Sequence, residues 1–251
     1  APPLPQPAVR LGLRMVSSLH GDAAKRMLQA RATGPAFAST EDLALRAQLS
    51  QQDLQALAAA DALASLSGHR RQQMWDAAAQ HSAPPLWRDV PVHEAPLQLP
   101  EAPEGEEILF DYAATGLTLR RHPLALLRPR LARWRLQTAL QLHSAAHGRK
   151  VRACGIVTVR QRPGTAKGTM FVTLEDETGA VNVIVWPALV DVWRNALLRS
   201  QLLAVEGVWQ CSPGALGSKA MVRHLVAQRF KDLTPLLGRM AQALQGSRDF
   251  H

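Results

Sequence analysis

The sequence is short of cysteine and lysine, and it lacks any long apolar run. Only two cysteines occur in 251 residues, Cys154 and Cys211. Two are too few for a disulfide framework, and without CxxC spacing a zinc ribbon is excluded. No apolar run approaches the roughly 18 residues that span a bilayer, which excludes a transmembrane helix. The start shows no basic-then-apolar stretch with a small-residue cleavage site, so no signal peptide is expected. The reducing cytoplasm is the expected compartment. Acidic charge is also scarce: 20 Asp and Glu face 29 Lys and Arg, a formal net charge of +9. That excess points to a polyanionic partner and says nothing about fold. Hydrophobic residues make up 47% of the chain. This is enough for one or two cores and excludes wholesale disorder.

The basic residues are 24 Arg and five Lys. Arginine forks match phosphate bidentately and stack on bases, which lysine does not do. Their excess is uneven. Residues 1–82 are net +2, residues 83–148 net zero, and residues 149–231 net +7, with 12 basic and 5 acidic side chains. One third of the chain therefore holds most of the positive charge.

Organisation follows composition. Residues 1–8, APPLPQPA, form a Pro-rich lead-in without a starting Met and read as a linker within a longer protein. Residues 9–81 read helical, with Leu, Met and Ala at three- and four-residue spacing. Ser39 and Ser50 each precede an apolar-periodic run, as helix N-caps do. Residues 82–107 hold six prolines and end in an acidic cluster, so an extended linker is expected. Residues 108–148 form a connecting segment with short helices, one opening at Pro123. From 149 to 231 the period changes to two. Five short strands are expected near 151–160, 170–175, 181–186, 202–209 and 220–226, with a helix over about 187–198. That order is the OB-fold. Residues 232–251 are a tail. The fold class is thus α+β multidomain: an N-terminal all-α helix-hairpin-helix domain, a Pro-rich linker and a C-terminal five-stranded β-barrel.

OB barrels bind oligonucleotides across strands two and three, between the loops joining strands one to two and four to five. The first loop carries Arg160, Arg162 and Lys167 and the second Lys219. Phe171 lies on the strand-two face opposite Met170, Val172 and Leu174. It is a candidate base-stacking platform, with core packing as the other reading. Trp186 and Trp209 end their strands and read as core or rim. Arg152 and Arg223 are strand cations, either binding or simply solvated. In the helical part, residues 11–31 read as a helix, a Gly-containing hairpin and a second helix. Such hairpins hold DNA phosphates with backbone N–H groups at a helix start, here around Gly21, Lys25 and Arg26. Ser18 and His20 stand where glycines are expected, so a plain packing hairpin is the other reading.

Several stretches resemble a known family. Asp111, Tyr112, Thr115, Gly116, Leu117, Leu119, His122 and Pro123 match an Asp-Tyr-x-x-Thr-Gly-Leu-x-Leu-x-x-His-Pro stretch. Residues 173–179 and 183–187 match its OB segment, and Ser247–His251 its ending. The whole chain resembles the C-terminal region of bacterial C-family DNA polymerases, and most closely the error-prone ImuC-type branch. The resemblance implies a DNA-directed DNA polymerase of damage-induced translesion synthesis. Implied partners are single-stranded and primer-template DNA, ImuA- and ImuB-type accessory proteins, and indirectly the sliding clamp. The catalytic carboxylates and their divalent metal (Mg) would lie upstream of residue 1, leaving no cofactor and no polymerisation here.

Two other readings stay open: a protein-interaction module docking accessory proteins, and an anticodon-type RNA binder. His143 and His147, four apart, are half a metal site without further ligands in sequence. Glu175-Asp176-Glu177 reads as a solvated turn rather than a metal loop.

Overall fold

Two serines start the helical unit. In this computed structural model, which describes residues 11–79, 97–213 and 221–242, the chain divides into a unit ending at Leu119 and one beginning at Arg120. The first holds α1 (Gly21–Thr33), α2 (Thr40–Ala47), α3 (Gln51–Ala59), α4 (Ala64–Ser67), α5 (Arg70–Ala79) and α6 (Glu104–Thr115). Ser39 Oγ accepts from the Asp42 amide at 3.0 Å. Ser50 and Asp53 exchange side-chain and backbone bonds in a capping box at the start of α3. Each cap satisfies amides the helix leaves unpaired and contributes about 1 kcal/mol. The periodic apolar residues Leu43, Leu54, Leu57, Ala58, Leu63 and Ala77 then close one core.

The expected 82–107 linker differs at its end. Residues 97–103 have no regular structure, but α6 begins at Glu104 and packs on the helical unit. The reason is a buried guanidinium. The Arg70 side chain is 1% exposed and reaches the Glu107 carboxylate at 3.1 Å, and it also bonds Asp111 Oδ1. The acidic cluster read as linker is thus partly the charge partner of a core arginine. The lead-in 1–8, residues 82–96 and the last residues of the tail, Ser247–His251 included, lie outside the described residues.

The second unit holds α7 (Pro123–Arg133), α8 (Ala139–His143), β1 (Lys150–Gln161), β2 (Met170–Asp176), β3 (Gly179–Val185), α9 (Pro187–Val192), α10 (Arg194–Arg199), β4 (Leu202–Pro213) and β5 (Met221–Asp232). The five strands close a barrel in the order β1-β2-β3-β5-β4, with β3 and β5 parallel. This is the expected OB order. The expected helix over 187–198 is two short helices meeting at Trp193, and β4 and β5 are longer than expected.

Closure rests on β1, whose first half pairs β4 and whose second half pairs β2. The strand bends where Val157 pairs Leu174 and Val159 pairs Thr173, a bulge with Thr158 as the extra residue. The expected strict alternation holds only in part: past the bulge Val159 is exposed, and before it Cys154, Gly155 and Ile156 are all buried. Two glycines allow close strand contact. A Cβ on Gly155 would meet the Glu175 amide at 2.8 Å, and one on Gly207 the Val226 carbonyl at 2.1 Å. Met170, Val172, Leu174, Val181, Val183 and Val185 point inward with Trp209.

Candidate nucleic-acid interface

Strand parity builds the outer face of β2 and β3. With Met170, Val172 and Leu174 inside, Phe171, Thr173 and Glu175 must point outward. Phe171 is 38% exposed, which removes the core-packing reading. Across the ladder it pairs with Ile184, and Thr173 pairs with Asn182. Thr173 Oγ1 donates to Asn182 Oδ1 at 3.2 Å. Thr173, expected on this face beside Phe171, lies there; Asn182 and Ile184 also belong to it and were not expected, because only the β2–β3 register brings them opposite. Trp186, 52% exposed, follows β3 on the surface, while Trp209 is buried in the core.

The cations expected around this face divide. Arg162 and Lys167 are exposed in the β1–β2 loop, with no ion pair among the described residues. Lys167 adopts a left-handed φ of 47° after the short 3-10 turn Gly164–Ala166. Arg160, though exposed, is turned toward the end of α10. Its Nε donates to the Leu197 carbonyl at 2.6 Å and its Nη2 to the Ser200 carbonyl. It satisfies carbonyls that the end of α10 leaves unpaired. A small cleft of about 270 Å³ joins Arg162 to Arg194, Leu197 and Leu198. Arg152 lies elsewhere, paired to Glu206 across β1 and β4 at 2.8 Å. Arg223 is half-buried on β5, its Nε without a hydrogen bond among the described residues. Lys219 lies outside the described residues.

The hairpin of the helical unit is mostly occupied by its own fold. Ser18 takes the left-handed φ of 65° that a glycine would favour. The Ser17 amide donates to the Ala114 carbonyl at 2.8 Å. The His20 amide and its Nδ1 both meet Asp53 Oδ1, at 3.3 and 2.8 Å. Burial pushes the Asp53 carboxyl up, but hydrogen bonds from Ser50 and His20 outweigh it and hold it at about 2. Gly21 begins α1 in open space. Lys25 pairs with Asp22 at 2.9 Å, and Arg26 donates to the Ala47 and Gln48 carbonyls at 2.9 and 3.1 Å. Of the three residues expected to hold phosphate, only Gly21 is uncommitted, and Asp22 beside it carries the wrong charge for an anion site.

Behind the β2–β3 face lies an anchor the sequence reading took for a solvated turn. Asp176 is buried and accepts from the amides of Ala139 (2.7 Å), Thr178 (2.7 Å) and Gly179 (3.1 Å). Arg128 of α7 donates to Glu177 Oε2 at 2.7 Å and reaches Asp176 at 3.4 Å. Burial alone would raise the Glu177 carboxyl, but the Arg128 hydrogen bond and charge hold it below its ordinary value. Burial also pushes the neighbouring Cys154 thiol up to about 12. The Asp-Tyr-x-x-Thr-Gly stretch has a similar structural basis. Thr118 Oγ1 bonds Asp111 Oδ2 at 2.6 Å, and Gly116 ends α6 at φ 76°. His122 Nδ1 accepts from the Leu124 amide at 3.2 Å to start α7. The His143 ring lies tilted 6.5 Å from that of Trp209, and His147 Nδ1 meets the Cys211 backbone. Among the described residues no three His, Cys, Asp or Glu side chains gather as a metal site.

These features place the chain in a class: residues 4–73 match the helix-hairpin-helix motif and residues 151–233 the OB-fold nucleic acid binding domain. The chain is 53% identical over 99% of its length to the error-prone DNA polymerase of Ralstonia pickettii. It is 52% identical over its full length to that of Burkholderia pseudomallei. It spans 22% of the length of each of these relatives. Among solved structures, asparaginyl-tRNA synthetase from Pyrococcus horikoshii is 20% identical, covering 39% of this chain and 23% of its own, at a TM-score of 0.32. Over its whole length the chain is thus similar to about a fifth of these error-prone DNA polymerases.

Proposed function

We propose that this segment is the DNA-binding region of an error-prone polymerase acting in translesion synthesis, DNA repair and induced mutagenesis. Its barrel holds the single-stranded template. The observation that carries this reading is Phe171, an exposed aromatic on the β2 face with Thr173, Asn182 and Ile184, next to the β1–β2 loop that carries the exposed Arg162 and Lys167. Single strands are held by cations on the phosphates and by aromatic rings on which bases of any sequence stack. Polymerisation itself is assigned to the parent enzyme, in the cytoplasm, with a divalent metal held by carboxylates outside this segment. ImuA- and ImuB-type proteins and, indirectly, the sliding clamp are its proposed partners.

Fluorescence anisotropy with a labelled single-stranded oligonucleotide tests the reading. Affinity should fall with salt, at about 0.7 in log–log slope for each phosphate neutralised. Phe171→Ala should cost about 1–3 kcal/mol of binding if one base stacks there. Undetectable binding at low salt, or binding that salt does not weaken, refutes it. Co-purification of accessory proteins without DNA binding would favour a docking module instead.

A further inference from the structure

The barrel unit carries a second basic surface, built without β2, β3 or the β1–β2 loop. After α7 the chain turns at Arg135, whose φ is 57°. It then runs beside β1, where the Gln137 amide donates to the Arg152 carbonyl at 2.8 Å. This places Arg133, Trp134 and Arg135 along one wall. The opposite wall is the outer face of β1, β4 and β5. There the register aligns Arg152, Glu206 and Arg229 in one row. Period two adds Lys150 and Lys231 on the same face. Two clefts of about 550 and 620 Å³ lie between the walls and share Arg135, Leu136, Arg152 and Glu206, so they form one groove.

Charge in this groove is unbalanced. Arg133, Arg135, Arg149, Lys150, Arg229 and Lys231 are all exposed, and none has a carboxylate partner among the described residues. Among the described residues Glu206 is the single carboxylate lining the groove, and Arg152 pairs with it. The Trp134 ring is 38% exposed and lies 5.4 Å from Lys231 Nζ and 5.7 Å from Arg130 Cζ. Cations around one exposed aromatic ring suit a single nucleic-acid strand, which offers phosphates to the cations and a base to the ring. An extended peptide would instead need a free strand edge, and both edges of β1 are paired in the closed barrel.

We propose that this groove is a second nucleic-acid track, holding the phosphates of a single strand with one base against Trp134. It does not depend on the Phe171 face. The test uses the full 251-residue chain and labelled oligothymidylate. One variant combines Arg149→Ala, Lys150→Ala, Arg229→Ala and Lys231→Ala; another combines Arg162→Ala, Lys167→Ala and Phe171→Ala. The groove variant should bind at least tenfold more weakly, with its salt slope reduced by up to about 2.8, four contacts at about 0.7 each. Unchanged affinity and slope, with an unchanged circular dichroism spectrum, overturn the proposal. So does competition by polyglutamate equal to that by unlabelled oligonucleotide, which would mark an acidic-protein site. Loss of binding in the face variant alone leaves the β2–β3 reading standing and this one refuted; loss in the groove variant alone does the reverse. Photocrosslinking with a 5-iodouracil oligonucleotide needs no variant. An adduct on Trp134 is expected, and adducts confined to Phe171 or Trp186 overturn the proposal.

Discussion

Replacing Arg128 with alanine should unfold the barrel unit at a markedly lower temperature, because one side chain ties α7 to the hairpin that carries the candidate face. Its guanidinium holds Glu177 with two bonds, Nε to Oε1 at 2.5 Å and Nη2 to Oε2 at 2.7 Å, and also reaches Asp176. Hydrogen bonds to charged groups contribute about 1.5–3 kcal/mol, and breaking a fully buried pair costs about 3–5. Arg128 and Glu177 side chains are 19% and 16% exposed, so solvent reduces this to about 2–4 kcal/mol. For a unit of about 130 residues, each kcal/mol lowers Tm by about 4 °C, giving a loss of roughly 8–16 °C. Arg128→Lys keeps the charge and loses the fork, so it should fall between. The pH dependence is fixed in sign. Glu177 sits below its ordinary 4.5 in the folded state, so its contribution is complete above that value and fades as pH falls through the folded one. The Tm gap between wild type and Arg128→Ala should therefore narrow below pH about 4. Calorimetry of both proteins from pH 7 to 3 checks this. A Tm change under 2 °C at pH 7, or Arg128→Lys behaving like wild type, refutes the argument.

Asp53→Ala should destabilise the helical unit by about 1–3 kcal/mol by removing the α3 capping box and the His20 contact. With its carboxyl at about 2, that stability is full above pH about 4 and lost as pH falls toward 2, which acid-dependent urea melts would read. Ser18→Gly should stabilise by about 0.5–1 kcal/mol by relieving a positive φ of 65°; a loss in denaturant midpoint would contradict this. Gly207→Ala should cost about 4 kcal/mol or prevent folding, since its Cβ would overlap the Val226 carbonyl; a near-normal Tm would show that β4 and β5 can separate there. Thiol titration of the native protein should label Cys211, which is partly exposed, well before Cys154, which is buried; equal rates would mean α7 and α8 open readily.

The strand order and helix starts were legible because they depend on local patterns. Period-two alternation located β2 and β3, and Ser39 and Ser50 marked helix starts that do cap. The β1 bulge was not legible, because an extra residue appears only once the partner strand is known. Glu107 and Asp111 looked like linker and connector because their partner, Arg70, is 37 and 41 residues away. The candidate site divided in the same way. Phe171 was visible by parity, whereas nothing local distinguished Arg160, bonded to the end of α10, from Arg162, which has no ion pair among the described residues.

The sequence by itself determined that this is a helical region followed by an OB barrel, and that positive charge gathers in the barrel. Periodicity, caps and composition act within a few residues, so they survive in the bare chain. Only the tertiary structure decided which cations remain available. A guanidinium is held or left available according to the carbonyls and carboxylates brought to it: Arg26, Arg70, Arg128 and Arg160 are held, while Arg149, Lys150, Arg229 and Lys231 have no carboxylate partner among the described residues along one groove.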